Sequence, residues 1–261
     1  MLFDTHAHYD DNKFDTDRHN VIEKVHREGV SYILNACTDM ESVKLGLELT
    51  QKYPYMYAAI GIHPHCAKEA TDSTLASLYE LASHSKVVAI GEIGLDYYYN
   101  FNPREIQKVS FSKQINMAKE LSLPIIVHNR ESHEDVLNII TREKAKEAGG
   151  VFHCYSGSIE MAREVLNNNF YISIGGPVTF KNAKKVFEVI KYIPEDRLLV
   201  ETDCPYLTPE PFRGKRNDSG YLKYIVEKVA DIKGMAFEEV AAVTTENAKR
   251  LFRIDSGVKI H

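Results

Sequence analysis

The sequence is poor in cysteine, with only Cys37, Cys66, Cys154 and Cys204 among 261 residues and no C-x-x-C pair. Disulfide frameworks are typical of short secreted chains, and a cysteine-based zinc site needs closer spacing. The pattern therefore predicts four free thiols, buried within or just after strands.

The chain also lacks long apolar runs, and none approaches the roughly 20 residues that cross a bilayer. Its first residues lead directly into a charged, histidine-containing segment and do not resemble a signal peptide. Together these absences predict a cytoplasmic protein with no membrane association. No glycine-rich dinucleotide fingerprint follows the first predicted strand, which removes the main support for an open doubly wound sheet.

Positive charge is not in excess, because 32 Lys and Arg residues face 37 Asp and Glu residues, for a net charge of −5. Proteins that grip long duplex DNA usually have a basic face or a pI above about 9, whereas this pI is about 6.1. If nucleic acid is the substrate, we expect a short stretch to be held at a local site.

What the sequence does contain is an eightfold alternation of short apolar strands and amphipathic helical segments. The strands read as nearly continuous apolar runs, which is typical of strands buried on both faces. Eight such units predict a single (β/α)8 TIM barrel over residues 1–261, with a short extra helix at about 236–252. The predicted strands are Met1–His8, Tyr32–Cys37, Met56–Ile62, Val87–Ile93, Pro124–His128, Val151–Cys154, Tyr171–Ile174 and Leu198–Asp203.

Ionisable residues stand at the ends of five of these strands, where parallel barrels build their active sites. Such residues do not belong at the ends of apolar strands unless they are paired or bound to something. Histidine is the commonest nitrogen ligand for transition metals, so the set predicts a metal centre. Its members are His6, His8, Glu92, His128, His153 and Asp203.

This set exceeds the need of one ion, since a catalytic zinc takes about three protein ligands plus water. Two ions about 3.5–4 Å apart need a carboxylate between them. We expect Glu92 to bridge, with the two histidines of the first strand and Asp203 on one cation and with His128 and His153 on the other. Four imidazoles favour zinc, manganese, cobalt or nickel over magnesium.

Further residues are candidates for substrate binding. His63 and His65 follow the third strand and are suited to touch a phosphate or the outer side of a ligand, or to form local hydrogen bonds. The planar fork of Arg130 matches two phosphate oxygens, unless Glu131 or Glu134 pairs with it.

A basic loop, Arg213–Asn217, follows the last strand, and Arg213 and Arg216 are predicted to contact phosphate there, with a solvated loop as the alternative. Glu201 lies two residues before Asp203 and is expected to face away from the metals, either pairing with a basic residue or orienting a ligand histidine. The aromatic residues after Glu92 are suited to stack an unpaired base or to pack against a helix. They are Tyr97, Tyr98, Tyr99 and Phe101.

With these motifs in place, the chain resembles the TatD family of metal-dependent deoxyribonucleases from end to end. The resemblance implies hydrolysis of DNA phosphodiesters, often from a 3′ end and preferably on single strands. No obligate protein partner is evident from the sequence. The expected cofactors are two divalent cations (Mg, Mn or Zn). The resemblance points to magnesium-supported activity, and the family's metal residues match all six predicted ligands. The matching segments are Asp4–His8, Gly61–Pro64, Gly91–Tyr97, His128–Arg130, Phe152–Gly157, Glu201–Leu207, Arg213–Asn217 and Thr245–Ala248.

The expected chemistry is attack of an activated water on phosphorus, with Glu92 and Asp203 as the catalytic carboxylates. Asp203 is the candidate general base, and a pure ligand role is the alternative. Because fold alone does not fix function, two other readings stay open. One is an amidohydrolase or lactonase that uses the same metals on a small molecule. The other is a non-catalytic binding protein on a degenerate barrel.

Overall fold

The computed structural model describes residues 1–254, which form a parallel eight-stranded sheet in the order β1 to β8. This arrangement confirms the predicted (β/α)8 barrel, while residues 255–261 of the predicted domain lie outside the described part. The strands are β1 Leu2–Ala7, β2 Val30–Ala36, β3 Met56–Ile60, β4 Val87–Asp96, β5 Ile125–Arg130, β6 Gly150–Phe152, β7 Phe170–Ile174 and β8 Leu198–Val200.

A helix follows each strand, as crossover connections between parallel strands require. The ninth helix, α9, comes after α8 and lies where the sequence predicts a helix over 236–252. The helices are α1 Arg18–Arg27, α2 Met40–Lys52, α3 Asp72–Leu81, α4 Arg104–Leu121, α5 His133–Arg142, α6 Ile159–Asn167, α7 Lys184–Tyr192, α8 Leu222–Lys233 and α9 Phe237–Phe252. Across residues 1–254, no helix is both long enough and apolar enough to cross a membrane.

The barrel closes between β1 and the residues that follow β8. The backbone amide of His8 donates to the carbonyl of Cys204 at 2.7 Å, and that of Asp203 donates to the carbonyl of His6 at 2.9 Å. Beside this seam the buried Asp4 carboxylate accepts from the Thr202 hydroxyl at 2.6 Å. The seam therefore holds the two ends of the sheet, and the residues just beyond them, in one register.

The lower half of the barrel interior is filled by one apolar side chain from each strand, and α9 covers it with Ala248 and Phe252. A packed lower interior leaves only the carboxyl ends of the strands open for a site. A second apolar layer lies between the sheet and the helices. The interior residues are Phe3, Leu34, Ala59, Ala89, Ile126, Val151, Tyr171 and Leu199.

Several strand bounds and the cysteine prediction differ from the structure. β3 and β6 end two residues earlier than predicted, at Ile60 and Phe152. β4 continues to Asp96, three residues past its predicted end, because Gly94 lets the backbone pass His128 so closely that a Cβ would lie 1.9 Å from its carbonyl oxygen. β8 ends at Val200, and Asp203 takes a positive φ of 57° instead of a strand conformation. All four cysteines are free, but only Cys37 and Cys204 are buried.

Candidate metal centre

Four ligand atoms from β1, the residue after it, β4 and the β8 exit converge in what we call the first ligand set: Nε2 of His6 and His8, Oε2 of Glu92 and Oδ1 of Asp203. The two imidazole nitrogens are 3.1 Å apart. Glu92 Oε2 lies 3.3 Å from His6 and 3.7 Å from His8, and Asp203 Oδ1 lies 3.8 and 3.2 Å from the same nitrogens. Ligands about 2.1 Å from one tetrahedral ion lie about 3.4 Å from each other, so these spacings suit a shared cation.

The second ligand set gathers around the other oxygen of the same glutamate. Glu92 Oε1 lies 2.5 Å from His128 Nδ1 and 2.7 Å from His153 Nε2. The two imidazole nitrogens are 3.3 Å apart. His63 Nε2 also approaches Glu92 Oε1, at 3.5 Å, so this predicted substrate residue lies among the candidate ligands.

The outer nitrogens of three of these histidines face acceptors, which orients their inner lone pairs toward the centre. His8 Nδ1 lies 2.7 Å from the carbonyl of Ala36, His128 Nε2 lies 3.1 Å from Asp96 Oδ2, and His153 Nδ1 lies 3.3 Å from Glu201 Oε1. Within residues 1–254 every ion-pair partner of Glu92 is a histidine. Histidine lone pairs that point inward around a carboxylate, with no lysine or arginine paired to that carboxylate, are suited to bind divalent cations.

Burial and the crowded charges perturb protonation throughout the centre. Burial opposes the ionised form of Glu92, but the surrounding histidines outweigh it and hold the pKa of this carboxyl well below its usual range. Burial likewise opposes a charged His8, but the hydrogen bond and charge of Asp203, together with Glu92, raise its pKa to about 9. Without metal, protons therefore take the place of cations on some of these nitrogens.

The expectation that Glu201 faces away from the metals is wrong. Its Oε1 accepts from the backbone amide of Cys154 at 2.7 Å and lies 3.3 Å from His153 Nδ1. β8 ends before Glu201, so strand alternation does not set its direction. Of the two alternatives for this residue, the structure has the one that orients a ligand histidine.

Asp96 is a site residue that the sequence analysis missed. Its Oδ2 lies 2.9 Å from His65 Nε2 and 3.1 Å from His128 Nε2. Its Oδ1 accepts from the backbone amides of Tyr98 and Tyr99 at 3.0 and 2.9 Å. The available signal was its position four residues after Glu92, since even spacing on a strand keeps side chains on one face.

The ligand sets open into a cavity of about 530 Å³ at the carboxyl ends of the strands. Its lining includes His63, His65 and Arg130, and Arg130 is the only lysine or arginine that lines it within residues 1–254. The Arg130 guanidinium lies 4.9 Å from the centre of the Tyr98 ring. No ion pair joins it to Glu131 or Glu134 in this part of the chain, so its fork is available to an anion. The same lining holds five histidines and five acidic residues, the latter being Asp10, Asp11, Glu92, Asp96 and Asp203.

The basic loop predicted to contact phosphate does not line this cavity. Arg216 donates to both carboxylate oxygens of Asp17, at 2.8 and 2.7 Å. Arg213 packs over the Phe180 ring, with its guanidinium 4.2 Å from the ring centre. Arg216 lies outside the lining because its bidentate carboxylate partner stands on the first β–α connection, far away in sequence; phosphate contact by this loop stays a prediction.

The aromatic residues after Glu92 divide into two groups. Tyr97 packs inward, donating its hydroxyl to Asp135 at 2.6 Å beneath the guanidinium of Arg104. Tyr98, Tyr99 and Phe101 are 54%, 54% and 64% exposed, and we call them the aromatic turn. Tyr99 lines the cavity directly. The helix-packing alternative therefore holds for Tyr97 alone.

The barrel and its paired ligand sets define a metal-dependent hydrolase. A family model described as "TatD related DNase" matches residues 3–253, and the chain belongs to this TatD family. It is 54% identical over 255 residues to the "Uncharacterized metal-dependent hydrolase YabD" of Bacillus subtilis, covering 98% of this chain and 100% of that protein. It is 36% identical over 259 residues to the "3'-5' ssDNA/RNA exonuclease TatD" of Erwinia tasmaniensis, covering 97% and 100%. The crystal structure of the TatD homologue YJJV from Escherichia coli superposes with a TM-score of 0.91 at 30% identity, covering 97% and 98%.

Proposed function

We propose that this chain is a two-metal deoxyribonuclease that removes nucleotides from the 3′ end of single-stranded DNA. One observation carries the proposal: the two oxygens of Glu92 face two different histidine groups, at 3.3 Å from His6 and at 2.5 Å from His128. Two neighbouring cations require a carboxylate between them whose oxygens face different ligand groups. The relative named as a 3′-5′ exonuclease supplies the substrate class.

Under this proposal the first ligand set and the second ligand set each hold one divalent cation. When bound, such a pair supplies an activated water and neutralises charge on phosphate oxygens. The remaining functions fall to the protein's own side chains. Arg130 orients the phosphate through its planar fork, and Asp203, which is largely buried, receives the proton of the attacking water at its free oxygen.

The cavity lining supports local binding of a strand end. Arg130 is the only lysine or arginine in the lining within residues 1–254, so beyond the two proposed cations the cavity offers no further positive side chain to the repeated phosphates of a bound duplex. A terminal nucleotide places its phosphate at the cations and Arg130 and leaves the rest of the strand in solvent. This distribution favours an exonuclease on single strands over a duplex-binding enzyme.

The test is a time course on single- and double-stranded DNA labelled at the 5′ end, with Mg²⁺, Mn²⁺ or Zn²⁺ added to metal-free protein. We expect a ladder that shortens stepwise from the 3′ end of the single strand, and about two cations per chain by elemental analysis. A panel of amides and lactones is assayed alongside. Hydrolysis confined to that panel would replace the nuclease by the amidohydrolase alternative.

A further inference from the structure

The aromatic turn is unusual because it exposes three large rings beside a cavity. Isolated exposed aromatics need no explanation, but grouped apolar surface next to a site marks an interaction surface. Tyr99 and Phe101 are nearly parallel, with ring centres 5.5 Å apart and an interplanar angle of 28°. Tyr99 lines the cavity into which the ligand sets open, and the neighbouring Phe101 is the most exposed of the three rings, at 64%.

The turn is fixed to the metal centre by hydrogen bonds. Asp96 accepts from the Tyr98 and Tyr99 amides through one oxygen and meets His65 and His128 through the other. The Asn102 side chain donates to the carbonyl of His65 at 2.6 Å. The two rings also meet the His65 ring in T-shaped contacts, with ring centres 5.4 and 4.8 Å away. The rings are therefore held in place before any ligand binds, which lowers the entropy cost of stacking on them.

We propose that Tyr99 and Phe101 form a nucleobase subsite that stacks one unpaired base of the strand whose phosphate faces the ligand sets. The inference rests on the proposed function and names its recognition element. Every base has a flat π-face, so such a subsite is tolerant of sequence. A base inside a duplex is covered on both faces, so the subsite selects single strands. Arg130 lies over Tyr98 and lines the same cavity as Tyr99 and the ligand residues, where it can hold the phosphate next to the stacked base.

The experiment measures binding separately from hydrolysis. The probe is a 5′-fluorescein oligothymidylate whose methylene-bridged phosphonate linkages keep their charge and resist hydrolysis. A matched series lacks the base at each position in turn. Kd is measured by fluorescence anisotropy with the metal-loaded protein, for the wild type, for a Tyr99→Leu/Phe101→Leu double variant and for Tyr79→Leu. Tyr79 is a matched control, being 45% exposed on α3 and outside the cavity lining.

We expect one abasic position to weaken wild-type binding by between about 5-fold and about 150-fold, the range for loss of one base–aromatic stack. The double variant should weaken binding of the full probe by a similar factor and should no longer discriminate against that abasic position. Tyr79→Leu should behave as wild type. Because the substituted rings are exposed, thermal melting of the variants should match that of the wild type.

Three results would overturn the subsite. The first is a wild type that binds all probes with the same Kd. The second is a double variant whose Kd rises by the same factor for every probe, and the third is a double variant that still discriminates against the abasic position. Loss of self-association in the double variant, with discrimination unchanged, would reassign the rings to a protein interface. Failure of the nuclease proposal is seen separately, as absence of cleavage of ordinary oligothymidylate by a wild type that still discriminates bases.

Discussion

Removing the metals should make the stability of the protein fall steeply with rising pH. In the metal-free protein, Asp203 and Glu92 raise the pKa of His8 from 6.5 to about 9. The imidazolium therefore stabilises the folded state fully below pH about 6.5, and this contribution disappears as the pH rises through about 9. At about 1.4 kcal/mol per pKa unit, the loss is about 3 kcal/mol. For a chain of this size that corresponds to a fall in Tm of roughly 6–12 °C.

The assay is thermal unfolding of chelator-treated and metal-loaded protein between pH 6 and 10. The loaded protein should lack the fall, because its ligand nitrogens carry metal and not protons. His8→Asn should remove His8's share of the fall, whereas His133→Asn, at an exposed histidine that begins α5, should retain it. A metal-free wild type with a flat profile, or a fall of equal size in His8→Asn, would refute the reasoning.

Three further outcomes are expected. Asp203→Asn should retain metal by elemental analysis while kcat on single-stranded DNA falls by about 10²–10⁴, the range for a lost general base; loss of metal would instead assign it a ligand role only. Asp96→Asn should weaken the binding of one of the two proposed cations by about 10–100-fold in calorimetric titration, because among the predicted ligands Asp96 orients only His128. Equal weakening of the binding of both cations would contradict this role. Arg130→Lys should raise KM for DNA on the order of tenfold with little change in kcat, since lysine lacks the bidentate fork; an unchanged KM would remove Arg130 from phosphate binding.

The barrel and the six candidate ligands were accessible from sequence because both follow from repetition. Eight apolar strands in alternation with helices define the closed sheet, and the carboxyl ends of parallel strands meet at one face. Any ionisable residue at such an end, His128 for example, is then brought toward the others whatever the distances between them in the chain. The apolar pattern of each strand, together with the rule that parallel strands end at one face, was sufficient to predict these six positions.

Other features depended on departures from regular geometry. Glu201 could not be oriented from alternation, since β8 stops before it and the backbone turns at Asp203. Asp96 joined the site because β4 extends past Gly94, whose lack of a side chain lets the backbone lie against β5. Arg216 was drawn to Asp17, 199 residues away in sequence, a pairing that no local pattern contains.

The seam between β1 and the β8 exit has a consequence for how the protein is made. His6 and His8 leave the ribosome among the first residues, yet Asp203, which completes their ligand set, and Thr202, which locks Asp4, are synthesised about two hundred residues later. A growing polypeptide thus has histidines but no finished binding geometry for most of translation. If these side chains hold a cation as proposed, the complete ligand set exists only once the ring of strands has closed.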